Sequence, residues 1–319
     1  MFPRIKIAHL PTPVEELPRL AKLLDGPRLF IKRDDQTGLA FGGNKTRKLE
    51  FLVGEAQVQN ARTLITAGAA QSNHCRQTAA AATRFGMSCV LILTGEEPQL
   101  PSGNLLLDKL FGARIIWVKD RSERERILKE TFEKLTSNGE APYLVPYGGS
   151  SPIGAFGYVN AMEEFLAQEI PVDWIVFASS SGGTQAGLMC GARQFNFKGK
   201  ILGISIDEPR LKLQLSVAKL ANQVFTLENL PFHFKPEDIL VNDDYCKPGY
   251  GVFTDLEKEA IKIFAENEGV LLDPVYTGRA AVGLIDLVRK GFFKKNSRVL
   301  FWHTGGQPAL FASAYTGTM

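Results

Sequence analysis

Chemistry in this chain can be built from one lysine segment and four further stretches that carry glycines and hydroxyl groups. In Gly42-Gly43-Asn44-Lys45-Thr46-Arg47-Lys48, two glycines precede a helix start. Such a pair lets the backbone turn tightly and approach a ligand. Lys45 then falls near the positive end of the helix, where an ammonium is disfavoured and a neutral amine or an imine is better tolerated. Lys48 follows three residues later on the same face. By local physics alone the stretch also reads as a glycine turn followed by solvated basic residues.

Gly68-Ala69-Ala70-Gln71-Ser72-Asn73-His74 ends a strand and opens a helix. Free backbone N–H groups point at whatever lies there. Gln71, Ser72 and Asn73 add side-chain donors, a set suited to a carboxylate, although Ser and Asn are also ordinary helix caps. His74 by itself reads as a structural histidine. Ser179-Ser180-Ser181-Gly182-Gly183-Thr184-Gln185-Ala186-Gly187 joins an apolar strand to another helix. Its glycines expose N–H groups, its hydroxyls add donors, and the helix dipole favours a dianion, so it reads as a phosphate cup. It lacks the Gly-Lys-Ser/Thr of a Walker loop and the G-x-G-x-x-G of a dinucleotide site. Asp273-Pro274-Val275-Tyr276-Thr277-Gly278 precedes a helical stretch, and His303-Thr304-Gly305-Gly306 follows the last strand. Together these segments supply a lysine to form an imine, a cup for a phosphate and donors for a carboxylate. Lysine imine chemistry needs no metal.

These residues must be held by alternating elements. Short apolar runs at 63–67, 89–93, 114–119, 174–178, 200–205 and 297–302 read as strands. Helical patterns follow at 73–84, 104–111, 121–135, 183–195 and 255–268. Continuous apolar strands alternating with helices imply parallel sheets covered on both faces. Loops beyond the carboxyl ends of such strands form the ligand crevice, and the 68–74, 179–187 and 303–306 stretches all lie there. Residues 95–103 read as a surface loop and 222–251 as irregular. No linker composition separates two lobes.

Bulk properties narrow the class. The 319 residues suit one large α/β domain or two lobes sharing a core. A net charge of +3, from 37 basic and 34 acidic residues, argues against a nucleic-acid or membrane partner. Cys75, Cys89, Cys190 and Cys246 show no C-x-x-C spacing and read as free thiols of a reducing compartment. The four histidines form no metal-ligand pair. The first residues lack a secretion signal, and no run reaches the about 18 apolar residues of a membrane span. The expected location is the cytoplasm.

The run Phe41 to Glu50, Gln71 to His74, Gly183 to Gly187, Asp273 to Tyr276 and Gly305 to Leu310 resembles, in that order, the D-cysteine desulfhydrase and 1-aminocyclopropane-1-carboxylate deaminase family. The similarity extends from about Leu10 onward. It implies the tryptophan-synthase-β-like fold of pyridoxal phosphate enzymes (fold type II), with two open twisted parallel sheets flanked by helices. It implies a large domain of residues 1–45 plus 161–319, a smaller lobe at 46–160 covering the cleft, and a homodimer. The cofactor would be pyridoxal 5'-phosphate on Lys45. Asn73 would bond its ring hydroxyl, Ser181, Gly182, Gly183 and Thr184 would hold its phosphate with Lys48 nearby, and Thr304 would complete the site. Gln71, Ser72, Asn73, His74, Tyr250, Tyr276 and Thr277 would line the substrate pocket. Lys45, Ser72, Tyr250 and Tyr276 would take part in catalysis, with Tyr250 matched through Pro248-Gly249-Tyr250-Gly251.

Within the family, deaminases carry Glu where this chain has Thr277, Leu where it has Thr304, and Gln where it has His74. The resemblance therefore implies the desulfhydrase branch: α,β-elimination of D-cysteine to pyruvate, ammonia and hydrogen sulfide. The alternatives are deamination of 1-aminocyclopropane-1-carboxylate to 2-oxobutanoate, and sulfo-lyase action on cysteate. A dinucleotide oxidoreductase is disfavoured by the missing glycine fingerprint, and a non-catalytic binding protein by the intact lysine and phosphate motifs. The base for the α proton is open between Lys45 and a nearby hydroxyl.

Overall fold

The computed structural model describes residues 2–317. Its strands form two sheets. In chain order the strands are β1 (Val14–Glu16), β2 (Arg28–Arg33), β3 (Thr63–Ala69), β4 (Ser88–Thr94), β5 (Arg114–Val118), β6 (Pro142–Leu144), β7 (Trp174–Ser179), β8 (Lys200–Ser205), β9 (Leu240–Asn242) and β10 (Arg298–His303). The larger sheet has the order β1-β2-β10-β7-β8-β9 and the smaller β5-β4-β3-β6. Every pairing is parallel except β1 with β2, a short antiparallel edge. The helices are α1 (Pro18–Leu23), α2 (Asn44–Val58), α3 (Asn73–Arg84), α4 (Gly103–Leu110), α5 (Glu123–Ser137), α6 (Pro152–Ala167), α7 (Gly183–Gln194), α8 (Arg210–Leu227), α9 (Asp255–Glu268), α10 (Thr277–Arg289) and α11 (Ser313–Thr316).

The strands are continuously apolar because both faces are covered. On the smaller sheet, Leu64, Cys89, Leu91 and Leu93 pack with residues of α2, α3 and α4. The alternate residues Ile65, Ala67, Val90 and Ile92 face α5 through Leu135, Ile127, Leu128 and Phe132. On the larger sheet, Ile31, Val176, Ile204 and Phe301 pack with α1, α9 and α10. Phe177, Leu300 and Trp302 pack with α6 and α7. The stretch expected to be irregular from residue 222 is helical up to Leu227, where α8 ends. The apolar side of that helix, including Val217, Ala221, Val224 and Phe225, packs against α6 and α7. No helix among the described residues is long and apolar enough to cross a membrane.

Helix α2 belongs to both halves. Leu49, Leu52 and Val53 join the core of the smaller sheet, whereas Phe51 packs with Phe156 of α6. A buried ionic cluster fixes its register. Arg47 grips Asp34, just after β2, through Nε at 2.9 Å and Nη2 at 2.8 Å, and reaches Glu164 of α6 through Nη1 at 2.8 Å. Asp34 also accepts bonds from Thr12 Oγ1 (2.9 Å), Tyr158 Oη (2.6 Å) and Trp302 Nε1 (2.8 Å). Burial pushes the Asp34 carboxyl up, but the Arg47 guanidinium beside it holds it below its ordinary value. Lys32 completes the cluster by donating to Glu164 and to the Thr12 carbonyl, each at 2.7 Å.

Removing one partner from such a cluster leaves a buried charge uncompensated. Arg47→Met is expected to cost about 3–5 kcal/mol in urea unfolding of the purified protein. A loss below about 1 kcal/mol, the size expected of an exposed pair, would contradict this role.

Candidate active site

Helices α2, α3, α7 and α10 all begin around one cavity. It opens at the carboxyl ends of β3, β7 and β10, where an open parallel sheet places its ligands. Its lining takes Asn44 and Lys45 from α2, Ser72 to His74 from the β3–α3 turn, and Ala178 to Gly182 with Thr184 from the β7–α7 turn. Tyr276, Thr304 and Gly305 close the other side, and Tyr147 and Gly148 add a wall. Asp273 already occupies the start of α10, accepting the N–H groups of Val275, Tyr276 and Thr277. The open positive helix ends therefore lie on the α2, α3 and α7 sides.

Lys45 reaches this space without an ion pair among the described residues, and Lys48 is fully buried behind it. Burial pushes the Lys45 amine down to about 8, with the Lys48 contact acting the other way. Burial and the Lys45 charge push Lys48 well below its ordinary value, and its Nζ donates to the Gly148 carbonyl at 3.1 Å. The two glycines before α2 are required by this approach. Gly43 has φ +124°, and a Cβ there would come within 2.5 Å of Gln77 Nε2 and 3.1 Å of the Thr304 carbonyl.

Opposite Lys45, the β7–α7 turn forms a cradle. Gly182 adopts φ +82°, and a Cβ on Gly183 would lie 2.5 Å from Ser150 Oγ and 3.0 Å from Lys48 Nζ. Ser181 and Ser150 hydroxyls meet at 2.7 Å, and Ser150 accepts the Gly183 N–H at 3.1 Å. Asn44 Nδ2 donates to Thr184 Oγ1 at 3.0 Å, linking the lysine helix to the cradle. A helix N-terminus, hydroxyls and a nearby buried amine suit a phosphate. With a buried lysine whose amine is lowered to about 8 lining the same cavity, the residues present fit pyridoxal phosphate.

At the β3–α3 turn, Ser72 caps α3 by accepting the Cys75 N–H at 3.2 Å. The Thr66 hydroxyl gives its one proton to the Val145 carbonyl at 2.8 Å, so His74 Nε2 is the donor in its 2.9 Å bond to Thr66. His74 Nδ1 is a bare acceptor, buried and without a partner. Burial, then the Lys45 and Lys48 charges, push the imidazole well below its ordinary value, so it stays neutral.

The structure brings Lys45, Ser72, Asn73, His74, Ser181, Gly182, Thr184, Tyr276 and Thr304 to one cavity. It places others behind the lining. Tyr250 lies behind Tyr276, their hydroxyls 2.9 Å apart. Gln71 turns away to donate to the Ser102 carbonyl at 3.0 Å and accept the Asn104 N–H at 2.8 Å. Thr277 is buried, its hydroxyl donating to Asp273 Oδ1 at 2.7 Å and accepting the Asp273 N–H at 2.7 Å. Of the two threonines read as markers of the branch, Thr304 alone reaches the cavity. Sequence reading missed Asn44, Tyr147, Gly148 and Ser150. The Tyr147-Gly-Gly-Ser-Ser151 run has the same glycine and hydroxyl character as the cradle and was the available signal.

The family model of pyridoxal-phosphate dependent enzymes matches residues 5–305. A D-cysteine desulfhydrase of Klebsiella pneumoniae (strain 342) is 43% identical over 324 residues, 98% of this chain and 96% of that protein. The crystal structure of an ACC deaminase homologue is 38% identical with a TM-score of 0.90, covering 97% of this chain and 94% of that one. The L-serine ammonia-lyase of the fungus Rhizomucor miehei shares the fold at 16% identity and a TM-score of 0.70, covering 98% of this chain and 99% of that one.

An amine must be deprotonated to attack an aldehyde. Uptake of pyridoxal phosphate by cofactor-free protein, followed by stopped-flow absorbance, should therefore quicken about tenfold per pH unit and level off near the Lys45 value of about 8. A rate still climbing at the ordinary lysine value of about 10.4 would contradict the site's electrostatics.

Proposed function

The chain belongs to the family of pyridoxal-phosphate dependent enzymes, and from that premise we propose that it is a lyase releasing hydrogen sulfide from D-cysteine, with pyruvate and ammonia as the other products. The Klebsiella relative supports the reaction. The observation that carries the choice within the family is the cavity lining, which contains no carboxylate among the described residues. A carboxylate beside the ring nitrogen would keep it protonated and strengthen the electron sink that cyclopropane opening demands. Expelling hydrosulfide from the β carbon is easier, and a neutral hydroxyl such as Thr304 suffices. Among the described residues Lys45 is the one Lys or Arg side chain of that lining, which disfavours the additional anionic group of cysteate.

The cofactor, when bound, supplies the sink for the electron pair left by the departing α proton. In our reading the α3 N-terminus and Ser72 hold the substrate carboxylate. The Ser181–Thr184 cradle would hold the cofactor's phosphate. With the cofactor bound, Lys45 Nζ would be the group placed to take the α proton, a task suited to an amine held near 8. Burial pushes Tyr250 and Tyr276 above their ordinary values, so the pair remains protonated. It donates a hydrogen bond toward the sulfur as the C–S bond breaks. Hydrosulfide and aminoacrylate leave, and water converts the latter to pyruvate and ammonia.

The lobe at 46–160 closes the cleft in this reading. The cytoplasm is the proposed location, since the four cysteines are free thiols, as a reducing compartment leaves them. A homodimer follows the family pattern. The second reading is deamination of 1-aminocyclopropane-1-carboxylate, supported by the 38% identical ACC deaminase homologue.

The test supplies D-cysteine, L-cysteine and 1-aminocyclopropane-1-carboxylate to the holoenzyme, with sulfide and keto acid assayed together. Sulfide and pyruvate from D-cysteine alone is the expected result. Keto acid from the cyclopropane substrate, without sulfide from either cysteine, overturns the proposal in favour of the second reading. Lys45→Ala should lower turnover by about a thousandfold or more, and retained steady-state turnover would remove Lys45 from its role. Thr304→Leu should also impair elimination, and unchanged elimination in that variant contradicts the part given to its hydroxyl.

A further inference from the structure

Behind the β3–α3 turn lies a polar cluster built from Asn73, Arg76 and Asn104. We infer that Arg76 and Asn104 are positioning residues that hold the Asn73 amide with its oxygen turned toward them and its NH2 turned into the cavity, as a donor to an oxyanion of the bound cofactor. The inference rests on the cofactor assignment and not on the choice of substrate.

Shape does not distinguish an amide's oxygen from its nitrogen, but partners do. A guanidinium has donors only. Arg76 Nη1 lies 3.0 Å from Asn73 Oδ1 and 2.6 Å from Asn104 Oδ1, so both oxygens face it. Asn104 Nδ2 is therefore an NH2 group. It donates to Asn73 Oδ1 at 2.9 Å and to the Gln71 carbonyl at 2.8 Å. The Asn73 oxygen thus accepts two bonds, which use both its lone pairs. Its Nδ2 is left for the cavity that Asn73 lines. Gly306 leaves room for this group: it has φ +115°, and a Cβ there would come within 2.8 Å of Asn73 Nδ2.

Burial makes the arrangement stiff. Arg76 and Asn104 are both fully buried. Burial pushes the guanidinium down to about 10, so it remains a cationic donor at neutral pH. Its Nη2 donates to the Gly42 carbonyl at 2.9 Å, three residues before Lys45. One side chain therefore spans the loop that aims the lysine and the residue that aims at the ring. Asn104 also secures the start of α4 to Gln71, which explains why Gln71 faces away from the cavity.

The sharpest variant is Asn104→Asp, which keeps the shape but has no NH2 to offer. Two oxygens would then face each other, and the Asn73 amide would turn over. The readout is the absorbance of the bound cofactor titrated with pH, alongside the cofactor dissociation constant and the unfolding of the cofactor-free protein. Losing a donor to an oxyanion should raise the apparent pKa of the bound chromophore by about one unit and weaken cofactor binding about tenfold. Asn73→Ala should give the same spectral shift. Asn73→Ala combined with Asn104→Asp should shift it no further, because Asn104 acts through Asn73. If Asn104→Asp does not fold, Asn104→Ser enters the same cycle. A wild-type titration curve in the Asn104 variant, or a shift that adds to that of Asn73→Ala, overturns the inference. The titration needs no substrate, so it decides the clamp even if D-cysteine proves not to be turned over.

Discussion

The grip of Arg47 on Asp34 is the constraint on which the site depends. The two side chains are 2% and 0% exposed, so neither charge has water as an alternative partner. Asp34 leaves the end of β2, Arg47 lies two residues after Lys45, and Glu164 comes from α6. Satisfying all three groups leaves α2 one rotation and one height against the larger sheet. A register slip would strand a buried charge, costing several kcal/mol. Net stabilisation of such clusters is modest, because desolvation offsets attraction. Their consequence here is geometric, since the cluster points the first turn of α2 into the cavity. Glu50 extends the control by accepting the Ile7 and Ala8 N–H groups at 2.9 Å each, tying the N-terminal segment to the same helix.

With α2 placed, the electrostatics of the cavity follow. Its walls gather open helix N-termini and lack acidic side chains among the described residues, so positive charge is disfavoured within it. Burial there makes the Lys45 amine easier to deprotonate, and an anion entering there gains donors. Burial, with the Lys45 and Lys48 charges beside it, keeps His74 neutral, and its bond to Thr66 leaves Nδ1 a fixed acceptor. The proposed nucleophilic amine and the proposed anion sites therefore share one architecture, and no metal-ligand group occurs among the described residues.

Much of this was legible in the sequence because both-sided burial makes strands such as Ile175-Val-Phe-Ala178 continuously apolar. Helix starts were legible where Ser72 or the Gly182-Gly183 pair marks them. The strand β2 was not read, because Lys32 interrupts its apolar run, and only the fold reveals that this lysine is fully buried and paired with Glu164. Helix α6 carries glycines that look like breakers. Gly157 is there because a Cβ would come within 2.4 Å of the Arg47 carbonyl, a tertiary contact that no local pattern encodes. Among site residues, side chains sharing a motif part company in space. Ser72 and Asn73 line the cavity while Gln71 serves α4, and Tyr276 lines it while Thr277 serves Asp273. Spacing along the chain cannot report which side of a turn a side chain takes.

The central claim is that the cofactor is held on Lys45, with Lys48 three residues away as a supporting neighbour. It is tested most directly by reducing the holoenzyme with borohydride, digesting it and locating the pyridoxyl group by mass spectrometry. The account predicts the label on Lys45 alone. A label on Lys48, or on a lysine outside α2, would contradict it.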